Sequence, residues 1–315
     1  MKAIAVSAFK AAPEVMDLPQ PQLRPGTVLV RVAAAGINPF DWKLADGILD
    51  GHMPHQFPLI MGVEGAGTVM ETGEGVTRFK KGDKIYGIFF HSPAGEGSYA
   101  EYAIVPEDAA INHAPTSIPL ETAAGAGNAG MTGLQLLEKL GLQKGQTLLV
   151  IGATGGVGSF VVQLAALQGL QVIATVSSEE GATRMQELGA ATTINYKQAP
   201  VVEQVKQAFP EGIDGLIDVI SNKADFEAAV GLVKQGGAAL TTAFVADKHF
   251  LQERQIHGGN FETKGTPASL AQLTQLIDKG QIKVPLDNII SPEETGGAIA
   301  QSRAARSKGK TVIKF

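Results

Sequence analysis

The sequence predicts an α/β protein in which a β-rich unit is joined to a doubly wound parallel sheet. Three observations carry that expectation. Residues 1–105 hold short runs of β-branched or alternating residues punctuated by Gly, Pro and Asp, the pattern of strands and turns. From Thr147 a buried apolar strand, a glycine-rich turn and an amphipathic helix follow one another and lead into a second strand, the length of a βαβ unit. Strand-like and helical runs then alternate to residue 244, as in a parallel sheet with helices on both faces. A chain of 315 residues suits about two domains.

The β-rich unit is read from MKAIAV and from runs at 27–37, 63–72, 83–90 and 98–105, which together suit a barrel or a sandwich. The texture changes near residue 120, and a helix is expected from about Gly130 onward. Strands follow at 147–151, 171–175, 191–195, 212–220 and 236–244, with helices at 179–188, 201–209 and 224–235. The tail reads as helices at 267–280 and 292–309 and a last strand in GKTVIKF. There is no internal repeat or low-complexity segment.

Composition excludes whole classes of chemistry. No cysteine is present, which removes disulfides, thiol nucleophiles, thiolate-held iron–sulfur clusters and cysteine-containing zinc sites. A reducing cytoplasm fits that usage. A net charge of -5 offers no basic footprint for nucleic acid. No apolar run approaches ~18 uncharged residues, so no membrane span is expected, and the start MKAIAVSAFK is too short and too soon interrupted for a signal peptide. His52 and His55 form an HxxH pair, but no carboxylate pattern accompanies it, and no metal site is assigned.

The glycine turn carries the clearest function. Gly152, Ala153, Thr154, Gly155, Gly156, Val157 and Gly158 link the strand 147–151 to its helix. A helix N-terminus offers unpaired N–H groups and partial positive charge to a pyrophosphate, and glycines let the backbone come close to it. The strand–turn–helix–strand context is what this motif requires. An acid at the end of the second strand would favour a free ribose 2′-hydroxyl. That end reads Val176, Ser177 and Ser178. Two hydroxyls there, with Arg184 and Lys197 as nearby cations, favour a 2′-phosphate. Two charge-assisted bonds of about 1.5–3 kcal/mol each give a clear preference, so NADP is the expected cofactor. Glu179 and Glu180 argue against it, but they fall in the first turn of the next helix, where acids suit the helix dipole.

The residues at this turn, GATGGVG with VVQLAALQG, resemble the zinc-free quinone oxidoreductases of the medium-chain dehydrogenase/reductase superfamily. AAGINPFDWK (34–43), MGVEGAGTV (61–69), GDKIYGIF (82–89), GSYAEYAIVP (97–106), GMTGLQLL (130–137) and GKTVIKF (309–315) resemble it too, in the family's order. The resemblance implies a GroES-like β-barrel domain over 1–120, with 261–315 returning to it. It implies a nucleotide-binding Rossmann domain over 121–260, an active site in the cleft between them, and a homodimer. Where zinc-dependent relatives place their ligands, this chain has Asn38, Val63 and Asn128, a poor zinc set.

Further roles come from the same resemblance. Asn38 would line the cleft and position substrate, or form the turn before Pro39. Asn128 would add a polar contact to the cofactor side, or serve as a structural amide. Thr132 would hydrogen-bond near the nicotinamide, or cap the helix. Tyr196 would stack near the adenine ribose, and Phe244 would face the nicotinamide edge. Lys310 would reach the cofactor, or lie in solvent. The lysine that many NADP-using relatives carry at the start of the next helix is Gly181 here. Asp41 is read as a cap rather than an acid, Tyr86 as core, and His91 as a possible substrate-side hydrogen bonder.

Alcohol oxidation needs a metal or an activated base, and neither is legible; no Tyr has a Lys four residues later. Reduction of a quinone is easier, because the acceptor spreads the incoming charge and needs mainly positioning and hydrogen bonds. The expected function is NADPH-dependent, zinc-independent hydride transfer to a quinone. The alternatives are reduction of an enone or enal, and an NADPH-binding redox sensor with little turnover. No general acid is assigned; water would supply the proton.

Overall fold

The structure is a computed structural model, and it describes residues 1–305 and 307–315. The chain divides into two compact units, 1–131 with 265–315 and 132–264. The first begins with β1 (Lys2–Val6), β2 (Glu14–Asp17), β3 (Thr27–Gly36), α1 (Pro39–Ala45), β4 (His55–Ile60) and β5 (Glu64–Thr72). It continues through β6 (Lys84–Ile88), β7 (Ala94–Glu96), β8 (Tyr102–Pro106), β9 (Ile111–His113), α2 (Leu120–Ala123) and the start of α3 (Gly127–Leu140).

The second unit alternates strand and helix: β10 (Thr147–Ile151), α4 (Gly156–Leu167), β11 (Gln171–Val176), α5 (Glu179–Glu187), β12 (Thr192–Asn195) and α6 (Val201–Ala208). It then runs through β13 (Ile213–Asp218), α7 (Lys223–Val230), β14 (Val233–Thr241), α8 (Lys248–Glu253) and β15 (His257–Asn260). The chain returns to the first unit with α9 (Pro267–Asp278), β16 (Leu286–Ile290), a short 3-10 turn at Pro292–Glu294, α10 (Thr295–Arg303) and β17 (Lys310–Lys314).

The first unit holds two sheets. One is four-stranded in the order β2-β1-β4-β7; the other is seven-stranded in the order β16-β17-β3-β5-β6-β9, with β8 also on β3. β3 is long and almost wholly buried because it pairs with β5, β8 and β17. One core gathers Ile4, Leu59, Met61, Tyr99, Ile299 and Ile313; another gathers Val28, Val30, Val69, Phe89 and Ile111. The last strand therefore completes a sheet begun near the N-terminus.

The second unit is a six-stranded parallel sheet in the order β12-β11-β10-β13-β14-β15. Strand order reverses between β10 and β13, which makes the switch point where open α/β sheets bind ligands. Leu149, Ile173 and Leu216 pack with Val205 and Phe226 of the covering helices. The continuous apolar runs of β10 and β11 reflect burial on both faces.

Several local expectations change. α3 begins at Gly127 rather than Gly130, and the division between units falls inside this helix. The helix expected at 224–235 ends at Val230, since Gly231 caps it and Val233 already pairs with Ile213. Gly236 then takes a left-handed φ of 79° inside β14, at a register shift, instead of starting the strand. The tail helix ends at Arg303 rather than 309, where Ala305 adopts a left-handed φ of 53°. β15 has almost no strand-forming side chains in its sequence, HGGN. Pairing with the otherwise open edge of β14 supplies the reason it forms.

Asp41 joins three parts of the first unit. It is fully buried, and its carboxyl accepts the Asn38 N–H at 2.6 Å, the Val63 N–H at 2.8 Å and the Tyr99 hydroxyl at 2.7 Å. Burial pushes its pKa up to about 7 against these bonds. Burial, with the carboxylates of Asp41 and Glu64 nearby, pushes the Tyr99 phenol well above its usual range. Because the folded-state pKa of Asp41 is raised, its contribution is full below the unfolded value and is lost as pH rises through about 7. The stability difference between wild type and Asp41→Asn should shrink between pH ~5 and ~8. Thermal melts of both proteins across that range check it; parallel curves would refute it.

Candidate functional site

In the second unit the glycine turn is built by close approach. Gly152 turns the chain at a φ of 81°, a region costly for a residue with a Cβ. A Cβ there would also stand 2.7 Å from Val219 Cγ2. The Gly155 N–H closes the turn on the Gly152 carbonyl at 3.1 Å. Gly155 is the extended N-cap of α4, and Gly156, Val157 and Gly158 form its first turn. A Cβ on Gly158 would collide with the Gly152 carbonyl oxygen, so only glycine lets helix and turn meet. Thr175 Oγ1 accepts the Gly152 N–H at 3.1 Å and donates to Val150 O at 3.3 Å. Ser159 Oγ reaches the carbonyls of Ala153 and Gly155. No side chain caps α4, so its first N–H groups have no intrahelical partner and suit a pyrophosphate.

The end of the second strand lies beside this turn. β11 stops at Val176. Ser178 is the N-cap of α5, and its Oγ accepts the Gly181 N–H at 3.1 Å, which leaves its O–H free to donate. Ser177 is half-buried. Arg184, on α5, donates from Nη2 to the Thr154 carbonyl at 2.7 Å, while its buried Nε has no partner. A guanidinium is thus held against the turn with donors to spare. The Tyr196 N–H bonds the Val176 carbonyl at 3.1 Å and its ring is exposed, which brings that tyrosine to the same strand end. Glu179 and Glu180 are exposed in the first turn of α5. No carboxylate stands at the strand end itself, so a nicotinamide dinucleotide fits the turn and its neighbours.

Two further residues of this unit fall elsewhere. Thr132 is a buried interior residue of α3 rather than a cap, and its hydroxyl meets that of Thr263 at 2.7 Å. Phe244 follows β14 with a left-handed φ of 60° and its ring 61% exposed. That conformation is uncommon for a bulky residue and marks strain.

The first unit contains a buried polar cluster. Asn38 Nδ2 donates to Gly36 O at 3.3 Å and to Glu64 Oε1 at 3.0 Å. Asn38 Oδ1 accepts from Asn128 Nδ2 at 3.0 Å and from Lys310 Nζ at 2.9 Å. Glu64 Oε2 accepts the Asn128 N–H at 2.6 Å, and Glu64 Oε1 pairs with Lys310. Asn38, Glu64 and Lys310 are buried and Asn128 is half-buried. Lys310 neither reaches solvent nor has an N–H left over: the third goes to Ile37 O at 3.0 Å. Asn38 likewise has its four hydrogen-bonding positions filled.

These residues do not fit zinc. Val63 has no ligating atom, the carboxamides are committed to each other, and a lysine fills the centre. Among the described residues no three His, Cys, Asp or Glu side chains form a metal-holding group. Tyr86 is core, its hydroxyl on Leu270 O and Thr274 Oγ1. His91 is turned to the carbonyls of Ser92 and Ile104. Sequence reasoning passed over Glu64. Its one signal is an acid set between Val63 and Gly65 in a run of small and apolar residues, where a charge has no reason to be unless it is paired.

Comparison with known proteins agrees with this architecture. Residues 24–116 match the family described as an alcohol dehydrogenase GroES-like domain, and residues 156–280 match the zinc-binding dehydrogenase family. A quinone oxidoreductase from Sus scrofa is 32% identical over 246 residues, covering 76% of this chain and 72% of that protein. A trans-enoyl reductase from Aspergillus terreus is 28% identical, covering 93% and 87%. The solved structure of a quinone oxidoreductase from Coxiella burnetii superposes with a TM-score of 0.89 at 26% identity, covering 100% of this chain and 99% of that one. With a GroES-like domain, a dinucleotide-type glycine turn and these relatives, the chain belongs to the medium-chain dehydrogenase/reductase superfamily, a family of oxidoreductases that use a nicotinamide cofactor.

Proposed function

We propose that the protein is an NADPH-dependent, zinc-independent reductase of quinones. The observation that carries this reading is the chemistry at Asn38, Val63 and Asn128: two carboxamides and an aliphatic side chain, organised by a lysine and a glutamate. Such a set is a fixed polar wall whose hydrogen bonds are spent within the protein. It has no Lewis acid and no exposed base with which to ionise an alcohol. A conjugated acceptor does not need one, since it delocalises the arriving charge.

When bound, NADPH supplies the hydride. The first N–H groups of α4 and the close Gly152–Gly158 contact hold the pyrophosphate. Arg184, with the hydroxyls of Ser177 and Ser178, binds the 2′-phosphate. Tyr196 covers the adenosine end, and Phe244 screens the nicotinamide edge from water. Thr132 supports the helix that leads to it. Water returns the proton to the reduced acceptor. Enone or enal reduction is the second reading, supported by the name of the Aspergillus terreus relative. A homodimer belongs to the same proposal, with the exposed edge strand β15 as the surface that favours it.

Three measurements test this. NADPH and NADH oxidation by the purified protein should be compared with a small quinone, an enone and a saturated aldehyde, with and without a chelator. NADPH oxidation with the quinone, unaffected by chelator, is expected. A better enone rate would replace the first acceptor with the second, and saturable binding without turnover would point to a sensor. Arg184→Ala should weaken NADPH binding about 10–100-fold, the loss of one charge-assisted bond, and leave NADH binding nearly unchanged in a fluorescence titration. Gly158→Ala should weaken both cofactors together, because the helix can no longer close on the turn.

A further inference from the structure

Lys310 stands at the start of β17, 3% exposed. Its ammonium donates to three oxygens of different kinds: the Ile37 carbonyl at 3.0 Å, Asn38 Oδ1 at 2.9 Å and the Glu64 carboxylate. An ammonium has three N–H bonds, so the cation is saturated. The cradle carries one formal negative charge, which a monovalent cation balances. Its geometry also decides the orientation of a neighbour. Asn38 accepts from Lys310 and from Asn128 Nδ2 with the same oxygen, and only the oxygen of a carboxamide can do that. With the ammonium gone, Asn38 Oδ1 keeps the Asn128 amide as its donor, but the Glu64 carboxylate, which also holds Asn38 Nδ2 and the Asn128 N–H, is left with a buried uncompensated charge and is drawn out of place, taking both amides with it.

We propose that Lys310 is a positioning residue, a tethered cation whose oxygen-lined cradle locks the Asn38–Asn128 carboxamide pair in its working orientation, and that the cradle, once emptied, binds a small primary alkylammonium. The kinetic half of this proposal rests on the reductase reading above; the binding half does not. Glu64 is the second member of the device, since its two oxygens hold Lys310 and Asn38 on one side and the Asn128 N–H on the other.

The test is Lys310→Ala in the full-length protein, with propylammonium, which replaces the atoms the truncation deletes. Propylammonium should raise the thermal midpoint of Lys310→Ala and leave that of wild type unchanged. Tetramethylammonium at equal ionic strength, which has no N–H to donate, should move neither midpoint. With NADPH and quinone, kcat of Lys310→Ala should fall by about 100-fold, the scale of a misplaced positioning group, and recover in part with propylammonium, while the KM for NADPH changes little. A thermal response equal for both amines, or a kcat close to wild type, would overturn the proposal. If Lys310→Ala does not fold, the neutral double variant Lys310→Met with Glu64→Gln carries the decision. It should fold, ignore propylammonium and show the same loss of kcat; a wild-type kcat in that variant would sink the positioning role. If wild type reduces no acceptor, the reductase reading fails by itself, and the amine-specific thermal shift still decides the cradle.

Discussion

The buried ion pair between Lys310 and Glu64 is the interaction on which the first unit is assembled. Glu64 opens β5 and Lys310 opens β17, residues 246 apart in sequence. Removing either partner would strand a charge in a dry interior, at a cost of about 3–5 kcal/mol. The pair contributes little net stability over an apolar alternative. What it supplies is specificity: one arrangement of β3, β5, β17 and the start of α3 satisfies every polar atom around it. The return of the chain's last strand to a sheet begun by its first residues follows from that requirement as well as from apolar burial by Val312 and Ile313.

A second joint sits beside the first. Asp41 binds Asn38 N–H, Val63 N–H and the Tyr99 hydroxyl, and Lys310 lowers its otherwise raised pKa through space. The two carboxyl groups divide the work. Glu64 holds the Asn38 and Lys310 side chains and the Asn128 N–H, while Asp41 holds the N–H groups of Asn38 and Val63 and the Tyr99 hydroxyl. Asn38 lies between them, with its backbone on Asp41 and its amide on Glu64. A polar core so completely satisfied leaves little freedom to move.

The nucleotide-binding unit works on a different principle. Its site is made of absence: no Cβ at Gly158, no side-chain cap on α4, no acid at the end of β11. Each absence leaves backbone N–H groups or cations facing a place where an anion fits. Arg184 turns one of the free places to use, anchored by a single bond to the Thr154 carbonyl. At Gly181, where many NADP-using relatives carry a lysine, a Cβ would meet Ser178 and Thr154 at ordinary contact distance, and Arg184 lies one helical turn further along the same helix.

How much was legible in the sequence depends on how local the cause is. The β10–α4–β11 unit could be read directly, because a buried strand, a glycine turn and an apolar helix are consecutive in the chain and each is set by its own residues. The absence of cysteine was legible at once, since composition alone decides it. The ends of α7 and α10 were misread, because α7 stops where Val233 is drawn into pairing with Ile213, and α10 stops ahead of a left-handed Ala305 that composition does not announce. β15 was invisible, since its partner rather than its side chains makes it a strand. Lys310 was expected in solvent or on the cofactor, and Glu64 was not singled out. Their roles arise only when distant segments meet: a charge becomes a structural element when its counter-charge, hundreds of residues away, is buried with it. By itself the sequence determined the fold class and the place of the glycine turn between β10 and α4. Only the tertiary structure decided which polar residues are paired with which, because burial and long-range pairing are properties of the assembled chain.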